Sequence, residues 1–358
     1  MLAKELAQNG IDVTVYDSKR SVAEGSAKAS GILSRKGLES IGVDFRPSVV
    51  NTLDGAVMYA RNVSMRVKAK SLMAYVVDRG KYAELCAKEA REAGARIVLG
   101  RRFDREGIVG LRDESKVIVG ADGAVSNVAS AFGFPKIDEF VLTYKAEYRG
   151  ARIPDSHMVG LFFSGDIAKR FFGWSVPYSD DVIEVGVGTS TKGNRNSMQA
   201  FRNLLKHWAI AEQLDGARNI AGNASIIPLS MRKKTVKGNV LLVGDAAGQV
   251  KATTGGGIVF GSACAKVAAK MISDSVERRL ALSRYERAWR KRYGTDLYMH
   301  RFVHAAYSGL DARGLDRLFR LSRLFGAERF LSEYGDMDRP SLVLKRFFLR
   351  GLFGRSYD

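Results

Sequence analysis

The sequence predicts an α/β protein, and three patterns along the chain support that class. Close to the start, a polar-striped helix leads into the alternating run Ile11 to Tyr16, which reads as a strand. Near residue 240, the apolar run Val240 to Val243 has the length and β-branched content of a buried strand, and glycines and a small-residue helix follow it. Between these two regions, the stretch 134–230 is rich in alternating β-segments, and arginine-rich helices follow the glycines toward the carboxyl end.

The composition indicates a folded protein with an anionic partner. The 358 residues suggest one large domain or two intimately joined domains, and 46% of them are hydrophobic. No apolar run reaches the ~18 residues of a membrane-spanning helix, and no signal peptide is visible. The formal net charge of +19 implies a nucleic acid, an acidic membrane surface or a phosphorylated substrate. Because no zinc-finger spacing or RNA-recognition signature is present, we expect a membrane or lipid partner and no nucleic acid.

The first segment reads as the second half of a dinucleotide-binding βαβ unit. Met1 to Asn9 predicts a helix ended by Gly10, and Asp17 ends the next strand, where an acidic residue bonds a ribose. The strand and the G-x-G-x-x-G loop that belong before this helix are missing. Either Met1 is an internal methionine of a longer protein or the chain lacks a pyrophosphate loop. We expect the former, with an in-frame upstream extension of roughly 15 to 20 residues that carries both features.

A glycine-rich stretch after the strand near residue 240 predicts a cofactor cradle. Gly244 and Asp245 end that strand, and Gly255 to Gly257 precede a helix expected from Ile258 onward. Glycines ahead of a helix let backbone N–H groups approach an anion or a flat ring. A carboxylate at the end of a strand can accept hydrogen bonds from sugar-like hydroxyls.

This stretch resembles the "GD" motif of FAD-dependent proteins of the p-hydroxybenzoate-hydroxylase-like group. Its form GDAAG…ATTGGGI is most similar to the archaeal geranylgeranyl reductase, or digeranylgeranylglycerophospholipid reductase, family. Two more segments match: V-V-D-R, ending at Arg79, opens an amphipathic helix, and Val117 to Ser126 holds a "DG" pair. The resemblance implies a Rossmann-like, three-layer FAD-binding domain interleaved with an antiparallel-sheet substrate domain, plus C-terminal helices.

The resemblance also implies boundaries within the chain. We expect a first FAD-binding segment, without its first strand, at 1–50, substrate-domain strands at 51–75, a second FAD-binding segment at 76–133, the antiparallel-sheet substrate domain at 134–230, a third FAD-binding segment at 231–275 and a C-terminal helical region at 276–358. Arg96 to Phe103 should form a strand of the second FAD-binding segment, followed by a short hairpin rich in charge.

The residues that the resemblance assigns to FAD come from all three FAD-binding segments. They are Asp17, Ala29, Gly31, Arg79, Phe103, Asp122, Gly123, Gly244, Asp245, Gly256, Gly257 and Ile258. Gly31 matches the glycine of a C-x-x-G-type turn, but Lys28 falls about where a cysteine is often found, so no thiol role near the flavin is expected. Arg79 could meet phosphate or ring oxygens, although it also fits the exposed start of a helix. The DG pair alternatively serves only a strand–turn–helix connection.

The hexapeptide FGWSVP indicates a hydrocarbon substrate. It resembles the Y-x-W-x-F-P motif of the reductase family, with Phe172 in place of tyrosine and Val176 in place of phenylalanine. The resemblance makes Trp174 and Pro177 substrate-binding residues. Large apolar rings on a sheet suit a long hydrocarbon, which burial stabilises by roughly 25 cal/mol per Å². The alternative is that Trp174 simply packs in the core.

The last eighty or so residues carry much of the positive charge. From Glu277 onward there are 18 Lys and Arg residues against 10 Asp and Glu residues. Three helices are expected there, at Leu282 to Arg301, Leu315 to Phe325 and Val343 to Phe353. Their alternating apolar and basic groups can lie on acidic head groups or pack on the body of the enzyme. We expect a cytoplasmic protein, peripheral on the inner face of the membrane.

The family resemblance implies an FAD-dependent oxidoreductase that saturates isoprenoid double bonds of geranylgeranyl chains in archaeal-type membrane lipid biosynthesis. Two other readings stay open: a monooxygenase or halogenase on the same fold, and a non-enzymatic basic protein that has lost FAD and binds lipid or nucleic acid. The electron donor would be NAD(P)H or ferredoxin, and the sequence does not distinguish the two, because no second nucleotide fingerprint is present. No residue stands out as the proton donor, since the histidines read as ordinary surface or core residues. Cys86 and Cys264 fit a reducing cytosol and have no metal-ligand spacing, so no metal site is expected.

Overall fold

Helices and strands alternate along most of the chain. The computed structural model describes residues 1–26, 30–193 and 196–353, with side chains as far as Phe347. The strands are β1 (Thr14–Tyr16), β2 (Ile32–Ser34), β3 (Val49–Leu53), β4 (Gly55–Tyr59), β5 (Ser64–Lys68), β6 (Ala74–Val77), β7 (Arg96–Val98), β8 (Ile118–Gly120), β9 (Phe140–Arg149), β10 (Met158–Phe162), β11 (Gly173–Pro177), β12 (Val182–Ser190), β13 (Arg218–Pro228), β14 (Val236–Lys237) and β15 (Val240–Leu242).

The helices cover the sheets and make up most of the last eighty or so residues. They are α1 (Leu2–Gln8), α2 (Arg35–Glu39), α3 (Arg79–Glu92), α4 (Arg105–Glu114), α5 (Asn127–Ala131), α6 (Ser197–Leu205), α7 (Trp208–Gln213), α8 (Ile258–Arg278), α9 (Arg284–Trp289), α10 (Thr295–Ser308), α11 (Ala312–Leu324), α12 (Ala327–Tyr334) and α13 (Pro340–Phe353). Among the helices of the described residues, none combines the length and the apolar character needed to cross a bilayer.

The strands pair in one large sheet and three small ones within the described part of the chain. The large sheet has seven strands in the order β13-β9-β12-β11-β10-β4-β5. It is antiparallel except where β4 runs parallel to β10. Parallel pairing joins β1 to β7 and β15 to β8, while β2, β6 and β3 form an antiparallel sheet. This mixture of parallel βα units and a large antiparallel sheet confirms the predicted α/β class.

The large sheet is covered on both faces. On one face, Ile183, Val185 and Val187 of β12 pack against Phe201 and Leu204 of α6. The other face carries a cluster that includes Trp174 and Val176 of β11 and reaches Ile32 at the start of β2 and Ala252 of the glycine-rich stretch. The second face therefore lies against the chain segments that were expected to hold a cofactor.

Helix α8 is the centre of a separate core beside the parallel strands. Its Phe260 and Cys264 pack with Leu241 of β15 and with Tyr285 and Trp289 of α9. The last two are fully buried, and each finds a hydrogen-bond partner: the Tyr285 hydroxyl donates to the Leu242 carbonyl at 3.2 Å, and Trp289 Nε1 donates to Thr235 Oγ1 at 3.0 Å. Each such side chain contributes about 1.5–3 kcal/mol or more by its burial.

One predicted element is wrong, and several others have different bounds. The charged segment after Phe103 is helix α4 rather than a hairpin, because Asp104 caps the helix by accepting from Gly107 N at 2.8 Å and Ile108 is buried. The helical segment after residue 196 divides into α6 and α7, since the His207 side chain caps the second helix. The helix expected to end at Arg301 runs through a π-helical turn, Arg290–Gly294, into α10.

Candidate cofactor and substrate site

The glycine-rich stretch folds as a cradle at the amino end of helix α8. Gly244 has φ +66° where the chain leaves β15, and its N–H donates to the buried Gln249 Oε1 at 2.8 Å. Gly257 precedes the first residue of α8, which is Ile258 as expected. A Cβ added at Gly257 would lie 2.6 Å from Asp245 Oδ1, so only glycine leaves the carboxylate in place. The turn therefore presents Asp245 and the open amino end of a long helix together.

Arg79 lies near this cradle and supplies a positive charge. It is the first residue of α3, whose N-cap Asp78 accepts from Lys81 N at 3.0 Å. Burial lowers the pKa of the Arg79 guanidinium, while the nearby Tyr82, Tyr178 and Asp245 act in the opposite direction. Its Nε is buried and has no hydrogen-bond partner among the described residues. Such a donor is costly to leave unpaired, which suits a site that receives an anionic or carbonyl oxygen.

The Asp245 carboxyl is the negative counterpart of Arg79. Burial raises the pKa of Asp245, and the positive charge of Arg79 lowers it in part. Ile258, which opens α8, packs against a core that includes Val77 and Tyr82 on either side of Arg79 in the sequence. The structure thus brings together the cradle and Arg79, which the sequence places more than 160 residues apart. A carboxylate, an unpaired guanidinium nitrogen and a helix amino end fit the ribose, phosphate and ring oxygens of FAD.

Gly31 packs directly on the strand that leads to Arg79. Its carbonyl accepts from Val77 N at 3.0 Å, and a Cβ on Gly31 would lie 2.1 Å from the Val77 carbonyl oxygen. Its own N–H donates to the Tyr178 hydroxyl at 3.3 Å. The loop therefore bridges the cradle side and the large sheet. Ala29, predicted to bind FAD, and Lys28 lie outside the described residues.

Asp17 and Phe103 form a second group at the carboxyl end of β1. Asp17 Oδ1 accepts from Lys19 N at 3.0 Å, and the Asp17 carbonyl accepts from Arg101 N at 3.0 Å. The Phe103 ring meets Tyr16 edge-on at 5.1 Å, and the Arg101 guanidinium lies over Phe103 at 5.2 Å. A surface cavity of about 360 Å³ is lined in part by Arg101, Arg102 and Phe103. Aromatic and basic groups beside a strand-end carboxylate suit one end of a nucleotide.

The DG pair makes a strand–turn–helix connection. Gly123 has φ +86°, and the exposed Asp122 accepts from Ser126 Oγ at 2.5 Å and from Val128 N at 3.0 Å. Ser126 caps α5, because its hydroxyl accepts from Ala129 N at 2.9 Å. The contacts of Asp122 are therefore those of a helix start, and its role toward FAD stays a prediction.

Trp174 and Pro177, the predicted substrate residues, lie on opposite faces of β11. Trp174 is 9% exposed on the face toward Gly31, and its ring covers Gly186, where a Cβ would lie 2.3 Å away. Pro177 lies an odd number of positions after Trp174 on the same strand. Because successive side chains of a strand point to opposite faces, Pro177 faces the other side of the sheet. Its carbonyl accepts from Asn51 Nδ2 at 3.0 Å. This geometry therefore does not place both side chains against a substrate on one face of the sheet.

A buried charged cluster that the sequence analysis missed lies beside Trp174. Glu184 of β12 is 0% exposed, and its Oε2 lies 2.6 Å from Lys145 Nζ of β9. Its Oε1 accepts from Trp174 Nε1 at 2.7 Å, and its Oε2 from the Tyr178 hydroxyl at 3.0 Å. Burial and the negative charge of Glu184 raise the pKa of Tyr178 well above its ordinary value. The sequence signal that could have revealed this cluster is a charged residue within each of two alternating β-runs, Lys145 in one and Glu184 in the other.

A second missed pair joins the cradle to the C-terminal region. Lys251 Nζ lies 2.8 Å from Asp338 Oδ1, both side chains are largely buried, and Ser34 Oγ donates to the other carboxylate oxygen. Burial opposes ionisation of Asp338, but the charge of Lys251 and the hydrogen bonds from Lys251 and Ser34 outweigh it and hold the pKa of Asp338 below its ordinary value. The segment Asp336 to Pro340 thus packs on the cradle loop.

Known proteins share this sequence and this fold. A sequence profile of the lycopene cyclase protein family matches residues 158–352. Digeranylgeranylglycerophospholipid reductase 1 of Methanothermobacter thermautotrophicus is 28% identical over 82% of this chain and 80% of its own length. The predicted resemblance to that reductase family is thereby confirmed.

Solved structures agree on the fold. A geranylgeranyl bacteriochlorophyll reductase-like protein from Thermoplasma acidophilum superposes with a TM-score of 0.80 at 18% identity, covering 96% of this chain and 91% of its own. A flavin-dependent brominase superposes with a TM-score of 0.65 at 14% identity, covering 98% of this chain and 96% of its own. These likenesses support the fold expected for FAD-dependent reductases and monooxygenases.

Proposed function

The chain belongs to the lycopene cyclase protein family, and from this premise we propose that it is an FAD-dependent reductase that saturates isoprenoid double bonds of geranylgeranyl chains in archaeal-type membrane lipids. The observation that carries the proposal is the cradle, where Asp245 and the unpaired Nε of Arg79 lie at the amino end of α8. The relatives named digeranylgeranylglycerophospholipid reductase support the substrate class. The electron donor is NAD(P)H or a ferredoxin.

The chain's own residues would bind, orient and shield the reactants. Asp245 would accept hydrogen bonds from hydroxyl groups of FAD, and Arg79 would donate to its phosphate or ring oxygens. The helix start at Gly257 and Ile258 would face negative charge. Reduced FAD, when bound, supplies a hydride to one alkene carbon, and a proton adds to the other. The apolar face of the large sheet would hold the hydrocarbon and exclude water.

Reversible attachment to an anionic membrane belongs to the same proposal, and helix α11 carries it. Leu315 and Phe319 of α11 pack on the body of the protein. The opposite side of the helix exposes apolar groups next to arginines. Exposed on α11 or directly after it are Leu318, Leu321, Leu324, Phe325, Arg317 and Arg320. Apolar groups flanked by basic ones fit the interface of acidic lipids, and the enzyme would then work at the cytoplasmic, inner face of the membrane.

The test is hydrogen uptake by a geranylgeranyl lipid under anaerobic conditions. Purified protein that shows the visible absorbance of bound flavin is reduced chemically and mixed with the lipid, and mass spectrometry then measures the gain of hydrogen per double bond. A gain that requires the protein supports the proposal. No gain under these conditions, together with oxygen-dependent hydroxylation or bromination of an aromatic compound, would favour the monooxygenase or halogenase reading. Protein that neither retains nor rebinds FAD would favour the non-enzymatic reading.

A further inference from the structure

The Glu184 carboxylate joins the loop at Gly31 to the ring of Trp174. Four groups donate to it: Lys145 Nζ, the Tyr178 hydroxyl, Trp174 Nε1 and Ser30 Oγ. Lys145 lies on β9, and the tryptophan and tyrosine lie on or next to β11. Ser30 comes from the loop before β2, 154 positions earlier in the chain than Glu184.

The loop before β2 is held to this cluster at two consecutive residues. Ser30 bonds Glu184 Oε1 directly, and the N–H of Gly31 donates to the Tyr178 hydroxyl at 3.3 Å, which in turn donates to Glu184 Oε2. The same loop packs on Val77, two residues before Arg79. Movement of the Glu184 carboxylate would therefore move this loop, which lies on the side of the site that is assigned to FAD.

The Trp174 ring has little freedom of its own. It lies over Gly186, where even a Cβ would lie 2.3 Å from the indole, and its Nε1 shares Glu184 Oε1 with the hydroxyl of Ser30. A fully buried ion pair such as Lys145–Glu184 is weak evidence for stability, because desolvation offsets much of the attraction. Its demonstrated use in proteins is to fix one arrangement among several, and here that arrangement includes the tryptophan ring.

We propose that Glu184 is a positioning residue that couples FAD binding to the placement of the Trp174 ring on the substrate side. The inference rests on the proposed function, since it takes the loop of Ser30 and Gly31 as belonging to the FAD site. It requires that a change in the indole of Trp174, which removes its Nε1 donor, alters the affinity for FAD, although the large sheet carries that ring. It also requires that the contributions of Ser30 and Trp174 depend on each other, because both donate to one oxygen atom.

The test measures FAD affinity by quenching of flavin fluorescence in single and double variants. Trp174→Phe keeps an aromatic ring but removes the Nε1 donor together with part of the indole that covers Gly186, and Ser30→Ala removes only the hydroxyl. Each should weaken FAD binding by roughly three- to tenfold, because we expect only part of the free energy of a lost hydrogen bond to a charged group to appear in FAD affinity. The double variant should fall short of the product of the two effects, which is the signature of a shared acceptor.

Glu184→Gln removes the charge itself and should weaken FAD binding by at least about tenfold. In that background, Trp174→Phe should change the affinity by less than about twofold. Glu139→Gln is the matched control, since Glu139 is a buried carboxylate that accepts from Ser190 Oγ beside the same sheet. It should lower the unfolding temperature and leave FAD affinity unchanged.

The outcomes separate this inference from the function on which it rests. Wild-type protein that binds no FAD would overturn the proposed function, and the inference with it. FAD binding that is indifferent to Trp174→Phe would overturn the coupling and leave the reductase proposal intact. Independent, multiplying effects of Ser30→Ala and Trp174→Phe would do the same. Because these two variants are small changes, the test holds even where Glu184→Gln fails to fold.

Discussion

Replacing Asp245 by asparagine separates the role of this carboxylate in cofactor binding from its effect on the fold. The amide keeps the shape that fits against Gly257, where a Cβ would lie 2.6 Å from Oδ1. It removes the negative charge of the Asp245 carboxyl group, whose pKa is raised by burial and lowered in part by Arg79. We expect the substitution to weaken FAD binding while leaving the FAD-free protein at least as stable as before.

The two effects have different magnitudes and signs. Loss of a charged acceptor for flavin hydroxyls costs about 1.5–3 kcal/mol, which raises the Kd for FAD roughly 10- to 150-fold. The folded-state pKa of Asp245 is raised, so its ionisation lowers stability once the pH exceeds the unfolded value of about 4. The variant lacks this loss. Its free energy of unfolding without FAD should therefore equal the wild-type value near pH 4 and be equal or higher at pH 7.

Flavin fluorescence titration gives the affinity, and urea unfolding of the FAD-free protein at pH 4 and pH 7 gives the stability. Asp316→Asn is the control. Asp316 is buried and accepts from Asn62 N at 3.0 Å and from Asn62 Nδ2 at 2.7 Å, so its loss should reduce stability and leave FAD affinity unchanged. A folded Asp245→Asn variant with wild-type affinity for FAD would refute the placement of the cofactor in the cradle.

Three other variants test neighbouring features. Asp338→Asn breaks the buried pair with Lys251 and should lower the free energy of unfolding in urea at pH 7 by about 3–5 kcal/mol. Because the pKa of Asp338 is lowered in the folded state, this difference from the wild type should shrink as the pH falls below the unfolded pKa of about 4. A difference that stays constant with pH would contradict the ion-pair argument. Gly257→Ala should displace Asp245 and weaken FAD binding by roughly tenfold, whereas unchanged titrations would show that the turn adapts. Leu324→Ser combined with Phe325→Ser, at side chains 78% and 71% exposed, should reduce co-sedimentation with acidic liposomes. For the wild type, each basic group near the acidic membrane surface contributes ~1 kcal/mol to membrane binding, so added salt should weaken that binding. Equal binding of the wild type to neutral liposomes would exclude the electrostatic contribution.

The sequence alone could predict the features that are encoded within short stretches of chain. A buried strand, Gly244 and Asp245, three glycines and the start of α8 at Ile258 follow one another within about twenty residues, and each step has a local physical cause. Ser126 caps α5 for the same reason, since the donor that it satisfies lies three residues away. The wrong prediction after Phe103 is also local, since it places a charged hairpin where Asp104 caps a helix. The division of the chain into FAD-binding and substrate segments stays a prediction.

Tertiary structure alone decided which distant side chains meet. Glu184 bonds Ser30 across 154 positions, and Lys251 bonds Asp338 across 87. Both contacts depend on strand register and on how helices pack, and a shift of one residue in β12 would turn Glu184 to the opposite face of the sheet. Trp174 and Pro177 fall on opposite faces by the same two-residue period, although one family motif contains both. Hydrophobic period and capping act over a few residues, whereas a buried carboxylate collects its donors from wherever the fold brings them.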